Sequence, residues 1–340
     1  MRGMKAMTTR VAVLGCGRIG QVHGRAIAGN DSARLVAVAD PFPKAAQSMQ
    51  DAYGADIRDM DEIATATDID AVIICTPTDT HADLIERFTT AGKDVFCEKP
   101  IDLDASRVRE CLATVAQTGR TLMVGFNRRF DPHFRALKAR IDAGDIGNVE
   151  MVSITSRDPG APPAEYIKRS GGIFRDMMIH DFDVARWLLG EEVETVMAMG
   201  SVLTDPAIAE LGDFDSASVL LRTASGRQAT ISNSRRATYG YDQRIEAHGA
   251  LGAIAAQNLH TAQIELATAH GYTRPPLMDF FMDRYAPAYS AEIAAFTQAI
   301  QDGTPPPTTG DDGLKALLLA DAANMSIAQG QAINMSDLDG

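Results

Sequence analysis

The chain is short of positive charge, of cysteine and of long hydrophobic runs, and each shortage narrows what it can do. Its 32 Lys and Arg stand against 45 Asp and Glu in 340 residues, a formal net charge of −13. A surface for nucleic acid or anionic lipid needs the opposite balance, because phosphate groups are held by an excess of cations. The four cysteines, Cys16, Cys75, Cys97 and Cys111, are scattered. They have neither the paired spacing of a zinc site nor the density of a disulfide scaffold, and a reducing cytoplasm is their simplest setting. No apolar run approaches the roughly 18 residues of a membrane span. The opening MRGMKAMTTR leads into VAVLGCGRIG rather than into a long apolar core and a small-residue cleavage site, so no signal peptide is expected. Repeats and low-complexity segments are missing too.

What is present is an ordinary globular composition, 45% hydrophobic and 23% charged, in a chain long enough for two domains. The first half alternates short apolar runs with helical patterns. Residues 10–20, RVAVLGCGRIG, read as strand, glycine turn and helix entry. In Gly15-Cys16-Gly17-Arg18-Ile19-Gly20 the glycines permit a tight turn and close backbone approach, while the helix start offers free N–H groups and a positive dipole end to a pyrophosphate. The motif alone is common, but the next apolar strand, RLVAVAD, ends in Asp40, 20 residues after Gly20. A carboxylate there accepts hydrogen bonds from an adenosine ribose diol and repels a 2′-phosphate, which favours NAD over NADP. Lys44 nearby argues the other way. Three more strands, AVIIC (71–75), DVFC (94–97) and TLMVGF (121–126), run into polar loops: Thr76-Pro77-Thr78-Asp79-Thr80-His81, Glu98-Lys99-Pro100 and Asn127-Arg128-Arg129. A doubly wound parallel sheet collects its ligands at such strand ends. Lys99 is a candidate functional cation, whereas His81 reads equally as a residue of a helix start.

The second half changes character. From about residue 149 it offers VEMVSITSR, VETVMAMGSV, SASVLLRTA, RQATISNSRR, DQRIEAHG and IAAQNLHTAQIELA as strands without long helices between them. A mostly antiparallel sheet is expected, with a helix from 171–190 packed on it, and residues 289–329 read as two helices separated by the stretch from Gly303 to Gly310. The domains expected are 1–127 and 128–340, with the last helices able to pack back on the first. A sheet face left uncovered needs a partner, so a homo-oligomer is expected. Within GGIFRDMMIHDFDVARWLLG (171–190), Asp176, His180 and Asp183 follow at spacings of four and three, which sets them on one helix face in apolar surroundings. Such a stripe either faces solvent or lines a cleft, and the pattern alone leaves both open.

Taken together, VAVLGCGRIG, CTPTDTH, CEKP, GFNRRFDP and GGIFRDMMIHDFD resemble the glucose-fructose oxidoreductase and inositol dehydrogenase family, Gfo/Idh/MocA, over almost the whole chain. SRDPGAPPAEYIKRSGGIF, NSRRATYGYDQRIEAHG and RYAPAYSAEI resemble its bacterial inositol 2-dehydrogenase branch in particular. The resemblance implies an N-terminal Rossmann domain, a C-terminal α/β domain whose open sheet builds dimers and tetramers, and NAD as cofactor. It implies Lys99, Asp176 and His180 as catalytic residues. It implies cofactor contacts from Gly15, Gly17, Arg18, Ile19, Gly20, Asp40, Thr76, Pro77, His81, Glu98, Lys99 and Asn127. Arg128, Arg157, Asp158, Tyr166, Asp183 and Tyr239 are expected at the substrate, beside the three catalytic residues. The founding member carries a twin-arginine export signal that this chain lacks, which again points to the cytoplasm.

The chemistry expected is oxidation of a secondary hydroxyl of a cyclic polyol or sugar: myo-inositol, scyllo-inositol or a pyranose. Such a step needs a base that titrates near neutrality, for which His180 is suited, and a cation on the developing alkoxide, for which Lys99 is suited. Asp176 would orient the imidazole or bind a neighbouring hydroxyl. Three other readings stay open on these residues: a metal site from Asp176, His180 and Asp183, an NAD-dependent glycosidase, and a non-enzymatic NAD-binding regulator.

Overall fold

The computed structural model describes residues 8–338 and divides into two compact units: the described residues up to Phe130 with Ala286–Lys315, and Asp131–Tyr285 with the residues from Ala316 onward. In the first unit, β1 (Thr9–Leu14), β2 (Ala33–Ala39), β3 (Asp56–Ile57), β4 (Ala71–Ile74), β5 (Asp94–Glu98) and β6 (Leu122–Gly125) form one parallel sheet in the order β3-β2-β1-β4-β5-β6. Val11–Leu14, Ala71–Ile74 and Val95–Cys97 are wholly buried. Runs so uniformly apolar suit a sheet covered on both faces, and each Val or Ile buried there contributes about 1.5–3 kcal/mol. The cover comes from α1 (Arg18–Ala28), α2 (Pro43–Tyr53), α3 (Met60–Thr65), α4 (His81–Thr90) and α5 (Ala105–Thr118). Strand β1 pairs with β2 on one side and β4 on the other, so the winding reverses there, and the crevice for a ligand opens at the strands' C-terminal ends.

The second unit opens with α6 (Pro132–Asp142) and continues through β7 (Val149–Arg157), α7 (Ala164–Ser170), α8 (Ile179–Leu189), β8 (Val193–Ser201), α9 (Ala207–Glu210), β9 (Ser216–Thr223), β10 (Gln228–Ser234), β11 (Asp242–Gly249) and β12 (Gly252–Ala256). After a separate hairpin of β13 (Leu266–Thr268) and β14 (Gly271–Thr273) come α10 (Phe281–Arg284), then α11 (Ala286–Asp302) and the start of α12 (Gly310–Gln329), which belong to the first unit, and finally β15 (Ile333–Asn334). Seven strands form a sheet in the order β12-β11-β7-β10-β9-β8-β15, antiparallel except where β7 and β10 run parallel. Alternation sets its faces. On β9, Ala217, Val219 and Leu221 point into the core while Ser218, Leu220 and Arg222 are exposed. Helix α8 packs on β7 and β10.

The expected strand across residues 254–267 stops at Ala256. Asn258 Oδ1 accepts the Gln243 N–H at 2.7 Å, so a side chain takes the place of the backbone ladder and the pairing ends. The first unit is also discontinuous in sequence, because α11 packs on α1. Thr297 Oγ1 lies 2.6 Å from Ser32 Oγ there. Thr308 then closes the edge of β6: it accepts from Val124 N at 3.1 Å and donates through Oγ1 to Val124 O at 2.7 Å.

All four cysteines are buried and unbridged. Burial pushes the Cys16 and Cys111 thiols up to about 12, so neither supplies a thiolate. Among the described residues no helix is long and apolar enough to cross a membrane.

Candidate active site

The glycine turn between β1 and α1 is built by three different requirements. Gly15 has φ +89°, and a Cβ on it would lie 2.7 Å from the Cys75 carbonyl. A Cβ on Gly20 would lie 2.0 Å from Gly15 O, so α1 can leave the turn this closely only through glycine. Around Gly17 nothing lies within 4 Å of a Cβ position. The protein itself does not need a glycine there; a ligand approaching the backbone does. Gly17 is the N-cap of α1 and lends no side chain to its first turn, where exposed Arg18 and half-buried Ile19 follow. Asp40, at the end of β2, accepts from Cys16 N at 2.6 Å through Oδ2 and from Phe42 N at 2.7 Å through Oδ1. It braces the turn, and each oxygen keeps a further lone pair for a ribose diol.

The loops after β4, β5 and β6 carry the remaining expected cofactor residues. His81 is 2% exposed, with Nδ1 2.8 Å from Pro100 O and Nε2 2.8 Å from Thr76 O. Burial holds this imidazole's pKa below its ordinary value against the pull of the two carbonyls. His81 therefore ties the turn at Thr76 and Pro77 to the turn at Pro100, and any part it plays toward a cofactor runs through the shape of those turns. Glu98 closes β5, half-buried Lys99 follows it, and the Lys99-Pro100 peptide is cis. Beyond β6, Asn127 and Arg128 are both buried, and Asn127 Oδ1 has no hydrogen-bond partner among the described residues. A buried acceptor left open is costly unless a ligand N–H meets it. With the ledge at Gly17 and the carboxylate of Asp40, these residues fit NAD.

In the second unit Gly171 and Gly172 open the segment that carries Asp176 and His180. Both glycines are left-handed, and a Cβ on Gly172 would lie 2.7 Å from Asp213 Oδ1. That oxygen accepts the Ile173 N–H at 2.8 Å, capping the new helix as it starts. The first turn, Phe174–Met178, is π-helical before α8 continues, a local widening that is frequent at functional sites. Asp176 sits in this turn. It accepts from the Tyr166 hydroxyl at 2.8 Å and lies 3.8 Å from the Arg235 guanidinium, which also donates to Asp213 Oδ2 at 2.7 Å. His180, the second residue of α8, is half-buried, whereas Asp183 is fully buried. The stripe is thus no solvated face. Asp181 is also fully buried, accepting from Asn233 Nδ2 at 2.9 Å.

Arg157 and Tyr239 meet: the guanidinium is 3.1 Å from the phenol oxygen, which donates to Asp242 at 2.5 Å. Burial and then the Asp242 carboxylate push the Tyr239 hydroxyl above its ordinary pKa. Burial would raise Asp242, but bonds from Arg244, Tyr239 and Asn258 outweigh it and hold it down. Half-buried Asp158 donates its N–H to Ser234 O at 2.9 Å. The sequence reading did not single out Asp213 or Arg235. Arg235, one arginine of NSRR, is 1% exposed, and no local pattern separates it from its exposed neighbour Arg236.

Residues 9–126 match the oxidoreductase family with an NAD-binding Rossmann fold, and residues 134–255 match the GFO/IDH/MocA C-terminal domain. The chain is 64% identical to the inositol 2-dehydrogenase of Rhizobium meliloti (strain 1021) over 330 residues, 97% of this chain and 100% of that protein. It is 41% identical to the myo-inositol 2-dehydrogenase of Thermotoga maritima over 333 residues, again 97% and 100% of the two chains. The crystal structure of scyllo-inositol dehydrogenase from Lactobacillus casei with bound NAD(H) and scyllo-inositol is similar at a TM-score of 0.90 and 31% identity, over 97% of this chain and 99% of that one. With a glycine turn, an acidic residue and an open buried amide that fit NAD, the chain belongs to the Gfo/Idh/MocA family of NAD-dependent oxidoreductases.

Proposed function

We propose that this enzyme oxidises a secondary hydroxyl of an inositol, myo- or scyllo-, to the ketone with NAD as oxidant. The observation that carries this reading is identity of 64% over nearly the full length with an inositol 2-dehydrogenase. NAD, when bound, supplies the hydride acceptor. His180 takes the hydroxyl proton as a neutral imidazole, and Lys99 stabilises the negative charge that develops on the same oxygen. Asp176, which accepts from Tyr166 beside the Arg235 guanidinium, orients the imidazole or a neighbouring hydroxyl. Arg157, Asp158, Tyr166, Asp183, Tyr239 and Arg128 supply the polar contacts that a ring of near-equivalent hydroxyls requires. Gly15, Gly17, Arg18, Ile19 and Gly20 hold the pyrophosphate, and Asp40 holds the ribose.

The enzyme works in the cytoplasm as a homotetramer assembled through the open face of the second unit's sheet. Met151, Met199 and Leu220 lie exposed on strands of that sheet, with 47%, 72% and 55% of their surface accessible. Apolar side chains on a face of this kind favour a second copy.

The test is NADH formation with a panel of myo-inositol, scyllo-inositol and hexopyranoses. Turnover highest with an inositol supports the reading. Highest turnover with a pyranose moves the substrate, and aglycone release from a glycoside without net NADH identifies a glycosidase.

A further inference from the structure

Three ionisable side chains meet behind the strand end that carries Lys99, all within the first unit. Glu98 is the last residue of β5, and its side chain lies against β6: a Cβ on Gly125, its partner in register, would come within 3.1 Å of the Glu98 carboxylate. His23, from α1, is 0% exposed and sets Nε2 2.6 Å from Glu98 Oε1. Phe96 and Tyr289 hold this imidazole edge-on, with ring centroids 5.1 and 5.5 Å away. Glu292, from α11, is also 0% exposed, and among the described residues neither of its oxygens has a hydrogen-bond partner. One polar atom from each of His23, Glu98 and Glu292 lies within 4.8 Å of the others. Glu98 is thus bounded by β6, α1 and α11 at once, and the next residue along the chain is Lys99.

Two carboxylates this close in a buried setting do not both stay charged. Glu98 has an imidazole partner at 2.6 Å, and Glu292 has no hydrogen-bond partner among the described residues. Burial, and then the charge of Glu98, push the Glu292 carboxyl well above the usual range, so it is the member that holds a proton. A divalent cation fits the cluster less well. Two ligand atoms bonded to one metal at about 2.1 Å stand roughly 3 Å or more apart, whereas His23 Nε2 and Glu98 Oε1 are 2.6 Å apart, a direct hydrogen bond.

We propose that His23 and Glu292 are positioning residues for Lys99, acting through Glu98. The clamp fixes the side chain of residue 98, and with it the point from which Lys99 leaves β5. This rests on the proposed role of Lys99 in polyol oxidation.

The experiment compares His23→Leu, His23→Gln, Glu292→Gln, Gly125→Ala and Lys99→Ala in the full-length enzyme, assayed with NAD and its best inositol. His23→Leu removes the imidazole partner of Glu98, and Gly125→Ala presses a methyl group on the same carboxylate, and on Phe96 Cζ, from the side of β6. Each should lower kcat by roughly 10- to 100-fold, the scale on which small misplacements act, and leave the Kd of NAD in a fluorescence titration within about twofold. His23→Gln, which keeps a donor, and Glu292→Gln, a neutral isostere of the protonated acid, should retain most of kcat and the wild-type pH profile. In a Lys99→Ala background, His23→Leu and Gly125→Ala should add almost nothing. Should His23→Leu fail to fold, the Gly125→Ala cycle decides alone. Wild-type kcat in His23→Leu or Gly125→Ala, with Lys99→Ala impaired, overturns the clamp and leaves the function standing. Losses that multiply with Lys99→Ala overturn it too, as does one bound metal per chain whose chelation abolishes turnover. A Lys99→Ala enzyme with full turnover removes the role of Lys99, and the clamp with it.

Discussion

The Tyr166 hydroxyl donates to Asp176 Oδ1 across 2.8 Å, although Tyr166 itself is 48% exposed. An exposed ring contributes little to folding, so this contact serves the carboxylate more than the core. Tyr166→Phe should therefore leave the melting temperature almost unchanged and lower kcat/KM for the inositol by about 3- to 10-fold, the worth of one hydrogen bond. Steady-state kinetics beside a thermal melt check it; a fall in melting temperature with unchanged kinetics reverses the assignment.

His180 as general base predicts its own signature. His180→Ala should cut kcat by roughly 10²–10⁴-fold while NAD binding is kept. Neutral imidazole is the active form, so the wild-type rate should rise with pH as the imidazolium loses its proton. That rise should be absent from the variant's pH–rate profile, measured under conditions where hydride transfer limits turnover.

Asp40 should set the cofactor choice. Initial rates should give NAD the higher kcat/KM, and Asp40→Asn, which removes the charge and keeps an acceptor for one of the Cys16 and Phe42 N–H groups, should shift the NADP to NAD ratio upward by about 10- to 100-fold. A wild-type preference for NADP would mean that a cation such as Lys44 outweighs the carboxylate.

Asp215 predicts an acid limb in stability. The residue is 0% exposed, and burial alone would raise its pKa, but the N–H groups of Leu203 and Thr204 and the hydroxyls of Thr204 and Ser216 outweigh that and bring it to about 2. A carboxylate lowered in the folded state contributes stability that is fully present above its unfolded value, near 4, and is lost as pH falls toward 2. The contribution is on the order of 2 kcal/mol. Urea unfolding of wild type and Asp215→Asn should differ most at neutral pH and converge in that acid window; a constant gap would refute the linkage.

The open face of the second sheet predicts assembly. Leu220→Glu places a charge at a 55% exposed apolar position on β9 and should dissociate the proposed tetramer without unfolding the protomer. Sedimentation at micromolar concentration distinguishes the two masses, and a wild-type chain sedimenting at 36.4 kDa at every concentration removes the assembly altogether.

The sequence by itself determined the parts that rest on local patterns. Uniform apolar runs such as AVII and VFC announced strands buried on both faces, and alternating runs such as SASVLLRT announced strands with one face outward. Gly15, Gly17 and Gly20 announced a turn because all three lie within six residues of one another, Gly15 and Gly20 at positions that exclude a Cβ. The spacing of Asp176, His180 and Asp183 marked one face of a helix, yet spacing says nothing of what covers that face. Only the tertiary structure decided that Asp183 is fully buried and that Asp176 stands between Tyr166 and a guanidinium 59 residues further on, at Arg235. It alone brought Glu292 to His23 and Glu98, across 269 and 194 residues of chain. The reason is physical: periodicity reports which side of an element is apolar, through contacts a few residues apart, whereas burial of a charge and the identity of its partner depend on which distant segment closes over it.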